Sequence, residues 1–299
     1  MRVIILGSAA GGGVPQWNCA CPNCQAARTS GPGRTQSSVA VTADDERWIL
    51  LNASPDLRQQ LATCRPLWPT GLRASPLRAM VLTDGEIDHS LGLLVLREAG
   101  TPLALYAPND VLELLADEWP LLAVLDRYGG AYARALLDGV NIKLTDASGA
   151  GLGLTCTGIA LARRPPRYAR RGTACTMGLR IEDERTGAVL AYVPAAEAVS
   201  DAVRRLARGA DLLCFDGTFW SEDELRGARS DATTASAMGH VPLGGRAGSL
   251  DALRGLGAAR VVLVHVNNTN PILDRGSPER RAVEAAGVTV AEDGMEFVL

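Results

Sequence analysis

Arg2-Val3-Ile4-Ile5-Leu6-Gly7-Ser8-Ala9-Ala10-Gly11-Gly12-Gly13-Val14-Pro15-Gln16-Trp17-Asn18-Cys19 opens the chain and separates two candidate architectures. The apolar run predicts a first strand over residues 2–6. The glycines after it resemble a phosphate-binding loop, but such a loop needs a helix N-terminus directly behind it. Here the glycines lead into Val14-Pro15-Gln16-Trp17-Asn18 and a cysteine cluster. That order argues against a doubly wound nucleotide fold.

Further strands are expected over residues 37–42 and 48–52, paired around a polar turn, and over 77–82, near 103–106, 140–144, 151–161, 174–181, 189–193, 212–215 and 260–266. Helices are expected over 55–64, with Ser54 as N-cap and Pro55 in the first turn, over 91–98, across 110–137, and from Ala195, Leu250 and Pro278. A β-rich run followed by mixed β and α occurs twice. We expect one α/β domain over 1–299 made of two halves, roughly 1–137 and 138–299. Two sheets face to face with helices outside, a four-layer αββα sandwich, would bury these strands on both sides.

Composition narrows the function classes. Hydrophobic residues make up 47% of the 299, enough for a sizeable core. The formal net charge is -3 with both signs interspersed, so bulk electrostatics predicts no nucleic-acid partner. No apolar run reaches the roughly 20 residues of a membrane helix. The N-terminal run is also shorter than the roughly 7–15 residues of a secretory core. A cytoplasmic protein without membrane contact is expected.

Two donor clusters stand out. Cys19-x-Cys21-x-x-Cys24 puts three thiols on one tight loop stiffened by Pro22. Free thiols in a loop are the bland alternative, but packing does not explain three cysteines in six residues. Thiolate-rich closed sites suit structural zinc, better than an iron–sulfur cluster at this spacing. The fourth ligand must come from elsewhere, with His265 and Asn268 as candidates. Cys64, Cys156, Cys175 and Cys214 read as small core residues.

The second cluster is Asp84, Glu86, Asp88 and His89, delivered by the strand over 77–82. Four potential ligands in six residues at a strand end suggest a pocket floor rather than a solvated charge run. Carboxylate with histidine suits non-haem iron, manganese or zinc. The chain has only three histidines, His89, His240 and His265, each at an element end. Asp216 ends a further strand and could bridge or orient a metal, or simply form an Asx turn.

These residues carry a resemblance over nearly the whole chain. The opening stretch through Cys19, Thr83-Asp84-Gly85-Glu86-Ile87-Asp88-His89, Asp216-Gly217-Thr218-Phe219-Trp220, Met238-Gly239-His240 and His265-Val266-Asn267-Asn268-Thr269-Asn270-Pro271 resemble the family of coenzyme PQQ synthesis protein B, in the metallo-β-lactamase superfamily. The resemblance implies the αββα fold of that superfamily and a role in making pyrroloquinoline quinone (PQQ). The superfamily's His-x-His-x-Asp-His motif is altered here, with Asp84 and Glu86 in place of two histidines. No histidine lies near 163–173, and Pro194 lies where an aspartate is usual.

These departures weaken a two-zinc hydrolase reading. They suit a site of Asp88, His89 and His240 or His265 that binds iron, with zinc or manganese possible. The resemblance implies iron-dependent hydroxylation of the tyrosine ring in a Glu-Tyr-derived precursor, with Asp84 and Glu86 tuning the metal or moving protons. An older description of the family implies transport of PQQ or its precursor. A phosphodiesterase-like hydrolase is the other alternative, since superfamily members with a similar three-cysteine loop act so. Other PQQ biosynthesis proteins are possible partners. The arginine-rich segment with Arg163, Arg164, Arg167, Arg170 and Arg171 reads either as solvated surface or as a lid for the precursor's carboxylates. Asn267 and Asn270 are further candidates for substrate binding.

Overall fold

A computed structural model describes residues 1–29, 31–170, 175–227, 233–245 and 248–299. Its strands follow the apolar runs. They are β1 (Arg2–Gly7), β2 (Ser38–Thr42), β3 (Trp48–Leu51), β4 (Leu77–Val81), β5 (Leu103–Pro108), β6 (Ala131–Leu136), β7 (Asn141–Thr145), β8 (Gly151–Arg163), β9 (Cys175–Asp183), β10 (Val189–Val193), β11 (Leu212–Asp216), β12 (Val261–Val264), β13 (Thr289–Val290) and β14 (Glu296–Val298). The helices are α1 (Pro22–Thr29), α2 (Leu57–Thr63), α3 (Ile87–Ser90), α4 (Asn109–Asp117), α5 (Leu121–Leu125), α6 (Asp201–Ala207), α7 (Ser249–Leu253) and α8 (Pro278–Ala285).

Among the described residues the strands form two seven-stranded sheets, ordered β14-β1-β2-β3-β4-β5-β6 and β13-β12-β11-β10-β9-β8-β7. Each sheet joins an antiparallel part to a parallel part, β3 to β6 in the first and β10 to β13 in the second. The alternation of side chains sorts the apolar residues into three layers. Val3, Ile5 and Val81 face Leu179, Tyr192 and Val264 between the sheets. Ile4, Leu50 and Met80 face outward, under Leu57, Leu93 and Leu115. Phe215, Leu213 and Leu263 pack under Leu206, Leu253 and Val283. Three apolar layers between four structural layers make the αββα sandwich.

Several expected elements differ. Residues 131–136, expected within a helical region, form β6 because parallel pairing with β5 outweighs the helix-forming alanines. Residues 91–98 form a 3-10 helix. The helix expected from Ala195 begins at Asp201 under a Ser200 cap, because the Ala196 backbone is bonded to Asp216 and Val241 instead. Asp56, not Ser54, is the N-cap of α2, and the Ser54 hydroxyl donates to Gln60. Pro22 opens α1 rather than stiffening a loop. No helix among the described residues is long and apolar enough to cross a membrane.

One glycine fixes how the first sheet presents its ligands. The Gly92 N–H donates to the Ala53 carbonyl and the Ala53 N–H to the His89 carbonyl. A Cβ on Gly92 would lie 2.2 Å from the Ser54 carbonyl oxygen. Gly92→Ala is expected to destabilise the fold by about 3 kcal/mol, because main-chain atoms, not a yielding side chain, fill the space. Chemical denaturation checks this; an unchanged midpoint would refute the close approach.

Candidate metal centre

The parallel strands aim their C-terminal ends at one rim, the usual place for a site in such sheets. Beyond β4, the Thr83 N–H donates to Asn52 Oδ1 (2.9 Å), and Asn52 is itself held in the left-handed region at φ 58°. Asp84 follows. Its carboxylate accepts from Glu86 N (3.0 Å), from Thr83 Oγ1 (2.8 Å) and from His89 Nδ1 (2.8 Å). The single turn α3 then carries Asp88 and His89. Asp88 packs against the glycine-rich loop, where a Cβ on Gly11 would stand 3.1 Å from Asp88 Oδ2. The loop thus serves close main-chain approach to a carboxylate.

The second sheet supplies the rest. Asp216 ends β11, and His265 follows β12 with φ 56°. That left-handed conformation costs a non-glycine residue roughly 1–2 kcal/mol, so surrounding contacts must hold it. His265 Nε2 lies 3.2 Å from Asp88 Oδ2, and His89 Nε2 lies 3.9 Å from the same oxygen. His240, after the turn at Gly239, stacks on His265 with ring centres 5.3 Å apart.

Every imidazole is gripped at Nδ1. Asp84 holds His89, Asp216 holds His240 (2.7 Å), and Thr218 Oγ1 accepts from His265 (2.8 Å). Thr218 in turn donates to Asp216 Oδ1 (2.6 Å). Carboxylate or hydroxyl partners on Nδ1 fix the ring orientation and leave Nε2 as the donor, the arrangement common behind metal-bound histidines. Asp84 and Asp216 therefore orient imidazoles, while Asp88 faces two Nε2 atoms.

The electrostatics call for a cation. Burial opposes ionisation of Asp84, Asp88 and Asp216, yet neighbouring imidazoles and hydrogen bonds hold all three below the usual carboxylate range. Burial and then Asp84 and Asp88 push Glu86 up to about 7. Burial disfavours charge on His89, but Asp84 and Asp88 raise it to about 9. His240 is likewise raised, against burial, by Asp216. His265 is lowered by burial. His89 Nε2 is buried without a hydrogen-bond partner. Donor atoms of Asp88, His89 and His265 lie within 4.8 Å of one another. A divalent cation among them would balance the carboxylates and satisfy the orphaned nitrogen. Two imidazoles and a carboxylate fit non-haem iron, and also zinc or manganese. Asp216, His240 and His265 form a second close group, but the Asp216 carboxylate is already bonded to His240 Nδ1 and Thr218.

The three cysteines converge separately, their Sγ atoms within 4.8 Å of one another. The Asn268 amide sits among them, with Nδ2 at 3.1, 3.5 and 3.4 Å from Cys19, Cys21 and Cys24 Sγ. Turning the amide over would present Oδ1 to the same point. His265 faces Asp88 instead, which leaves Asn268 as the fourth group at the thiols. This set fits zinc.

Other expected site residues lie apart from these centres or serve the fold. Asn270 is fully buried, donating to the Gly217 and Thr218 carbonyls and capping the turn at Ile272. Asn267 donates to Thr269 Oγ1. The Asn270 amide is thus fully used within the fold. Arg164 pairs with Glu197 and donates to the Ala237 carbonyl, so it ties its loop to the His240 turn. Arg163 closes β8, Arg167 and Arg170 are exposed, and Arg171 lies outside the described residues. Between them the Tyr168 hydroxyl donates to the Gly85 carbonyl at 2.5 Å.

Thr218 is the residue that sequence reasoning overlooked. Its one available signal was its place two residues after Asp216, where a hydroxyl readily closes an Asx turn. Thr218→Val is expected to weaken metal binding at the histidines by ~10–100-fold, because His265 loses its orienting acceptor. Titration of the metal-free variant checks this; unchanged affinity would remove Thr218 from the centre.

Comparison with known proteins agrees with this fold. The Beta-lactamase superfamily domain matches residues 47–266. Coenzyme PQQ synthesis protein B of Methylococcus capsulatus (strain Bath) is 42% identical over the full length of both chains. The crystal structure of Zn(2+)-bound PqqB from Methylobacterium extorquens superposes with a TM-score of 0.89 at 40% identity, covering all of both chains. A diphosphatase of the PhnP family shares the fold at a TM-score of 0.70 and 21% identity, covering 100% of this chain and 97% of its own.

Proposed function

The chain belongs to the coenzyme PQQ synthesis protein B family of the beta-lactamase superfamily, and on that footing we propose that it hydroxylates the tyrosine ring of the Glu-Tyr-derived PQQ precursor at iron held by Asp88, His89 and His265. Its general role, in PQQ biosynthesis, follows from the family. The observation that carries the finer reading is the convergence of two Nε2 atoms on the Asp88 carboxylate, one of them without any other partner. Three protein donors leave coordination positions open for oxygen and substrate, and bound iron would supply the activation of dioxygen.

The chain's own residues do the rest. Asp84 and the Asp216–Thr218 pair hold the imidazoles in one orientation. Glu86, beside Asp88, is the carboxylate that handles a proton of the phenol. Arg167 and Arg170 are exposed on a segment tied to Gly85 by Tyr168, and they meet the carboxylates of the precursor. The Methylobacterium relative binds Zn(2+). In this chain zinc belongs at the three thiolates, which soft-ligand preference selects.

The test is anaerobic loading with ferrous iron, followed by oxygen, a two-electron reductant and the precursor. One oxygen atom enters the ring, the other leaves as water, and the product gains the mass of one oxygen. Absence of that product, with cleavage of a generic phosphodiester by the zinc form, would establish a hydrolase instead. Tight PQQ binding without turnover would establish a carrier.

A further inference from the structure

The two candidate centres share one short piece of chain. His265 faces Asp88 and Asn268 sits among the thiols, three residues apart. The intervening backbone is fixed from both sides. Val266 N donates to the Ser8 carbonyl, and the Val266 carbonyl accepts from Ala10 N, next to the Gly11 that abuts Asp88. Asn23 of the cysteine helix α1 donates to the Asn268 and Asn270 carbonyls, at 2.9 Å each. Arg28 of the same helix donates to the Gln16 and Cys19 carbonyls at 2.6 Å, closing the cysteine segment on itself. Immediately before the first of these grips, His265 adopts the left-handed conformation that turns its ring toward Asp88.

We propose that Asn268 is a positioning residue that couples the two centres: an ion held by Cys19, Cys21, Cys24 and the Asn268 amide fixes the turn that presents His265 to Asp88. The proposal rests on reading Asp88, His89 and His265 as a metal centre. Without that ion, three sulfurs crowd around the amide, and α1 and the 266–270 turn are held together by their hydrogen bonds alone. With it, the left-handed turn has one arrangement. Coupling of this kind is reciprocal, so metal at the histidines tightens the thiolate site by the same factor.

The full chain, stripped of metal, allows a direct measurement with metal ions alone. One equivalent of Cd(II) goes to the soft thiolates. Co(II) is then titrated, and its location is read from its spectrum, since only thiolate ligation gives sulfur-to-cobalt charge transfer. Cobalt affinity at the histidine–carboxylate site is expected to rise about tenfold when cadmium is present. With only three histidines in the chain, imidazole nitrogen resonances without cobalt report on each ring. Cadmium is expected to shift His265 strongly and His240 little. Asn268→Ala is expected to abolish the coupling while cadmium still binds, and Asn268→Asp to restore it. Equal cobalt affinity with and without cadmium in the wild-type chain overturns the proposal and leaves the histidine centre standing. That comparison needs no variant, so an Asn268→Ala chain that fails to fold does not weaken the test. A wild-type chain that binds cobalt only through thiolates overturns the histidine centre itself, and the coupling with it.

Discussion

Replacing Asp88 by alanine is expected to leave the histidine site without its metal and to slow the proposed hydroxylation at least ~10³-fold, because losing a ligand costs more than the ~10–100-fold of losing an orienting partner. Asp88 is the carboxylate within reach of both His89 Nε2 and His265 Nε2. No other described carboxylate takes that place. Asp84 is turned to His89 Nδ1 and Asp216 to His240 Nδ1. The metal-free fold should survive. Removing Asp88 takes a partly exposed anion from beside Glu86, which relieves repulsion, and takes a hydrogen-bond partner from His265, a loss of roughly 1–3 kcal/mol. Metal content and turnover of the purified variant, set beside its melting curve, decide the matter. Normal iron content and rate in Asp88→Ala would move the reaction elsewhere in the molecule.

Changing Cys21 to serine should act in the opposite way, on stability first. Its loss breaks the thiolate set that closes α1 onto the 268–270 turn. Metal bound only by the folded chain adds its binding energy to folding. The expected outcome is loss of zinc and a fall in stability of several kcal/mol, or on the order of 10 °C in melting temperature. Added chelator should lower the wild-type melting temperature toward that of the variant. Coincident melting curves for zinc-loaded and zinc-free protein would show that the ion has no structural role.

What could be read in advance was local. The strands announce themselves as apolar runs, and the donor clusters at 19–24 and 84–89 are contiguous, so residue type and spacing suffice to notice them. Elements decided by distant partners were harder. Ala131-Tyr132-Ala133-Arg134-Ala135-Leu136 carries helix-forming residues and becomes a strand through its pairing with β5. The short strands β13 and β14 hold too few residues to show a pattern. In the site, nothing in the sequence tells which of His265 and Asn268 turns toward the cysteines. The left-handed backbone at His265 makes that choice, and no side-chain pattern encodes it. Thr218 was hidden for a similar reason. A threonine gains meaning only when two strands of the second sheet bring Asp216 and His265 beside it. Asn270, by contrast, read as a candidate for substrate binding and is instead buried, its amide capping a turn.

Strand β14 borders β1, with Val3 opposite Phe297 and Ile4 opposite Glu296. Until residues 296–298 have been made, the side of Val3–Ile5 that β14 covers stays bare. Unsatisfied amides on an apolar border invite pairing with a neighbouring nascent chain. A chain truncated before Glu296 should therefore yield inclusion bodies rather than a partly active product, and a holdase that shields residues 2–5 would improve recovery.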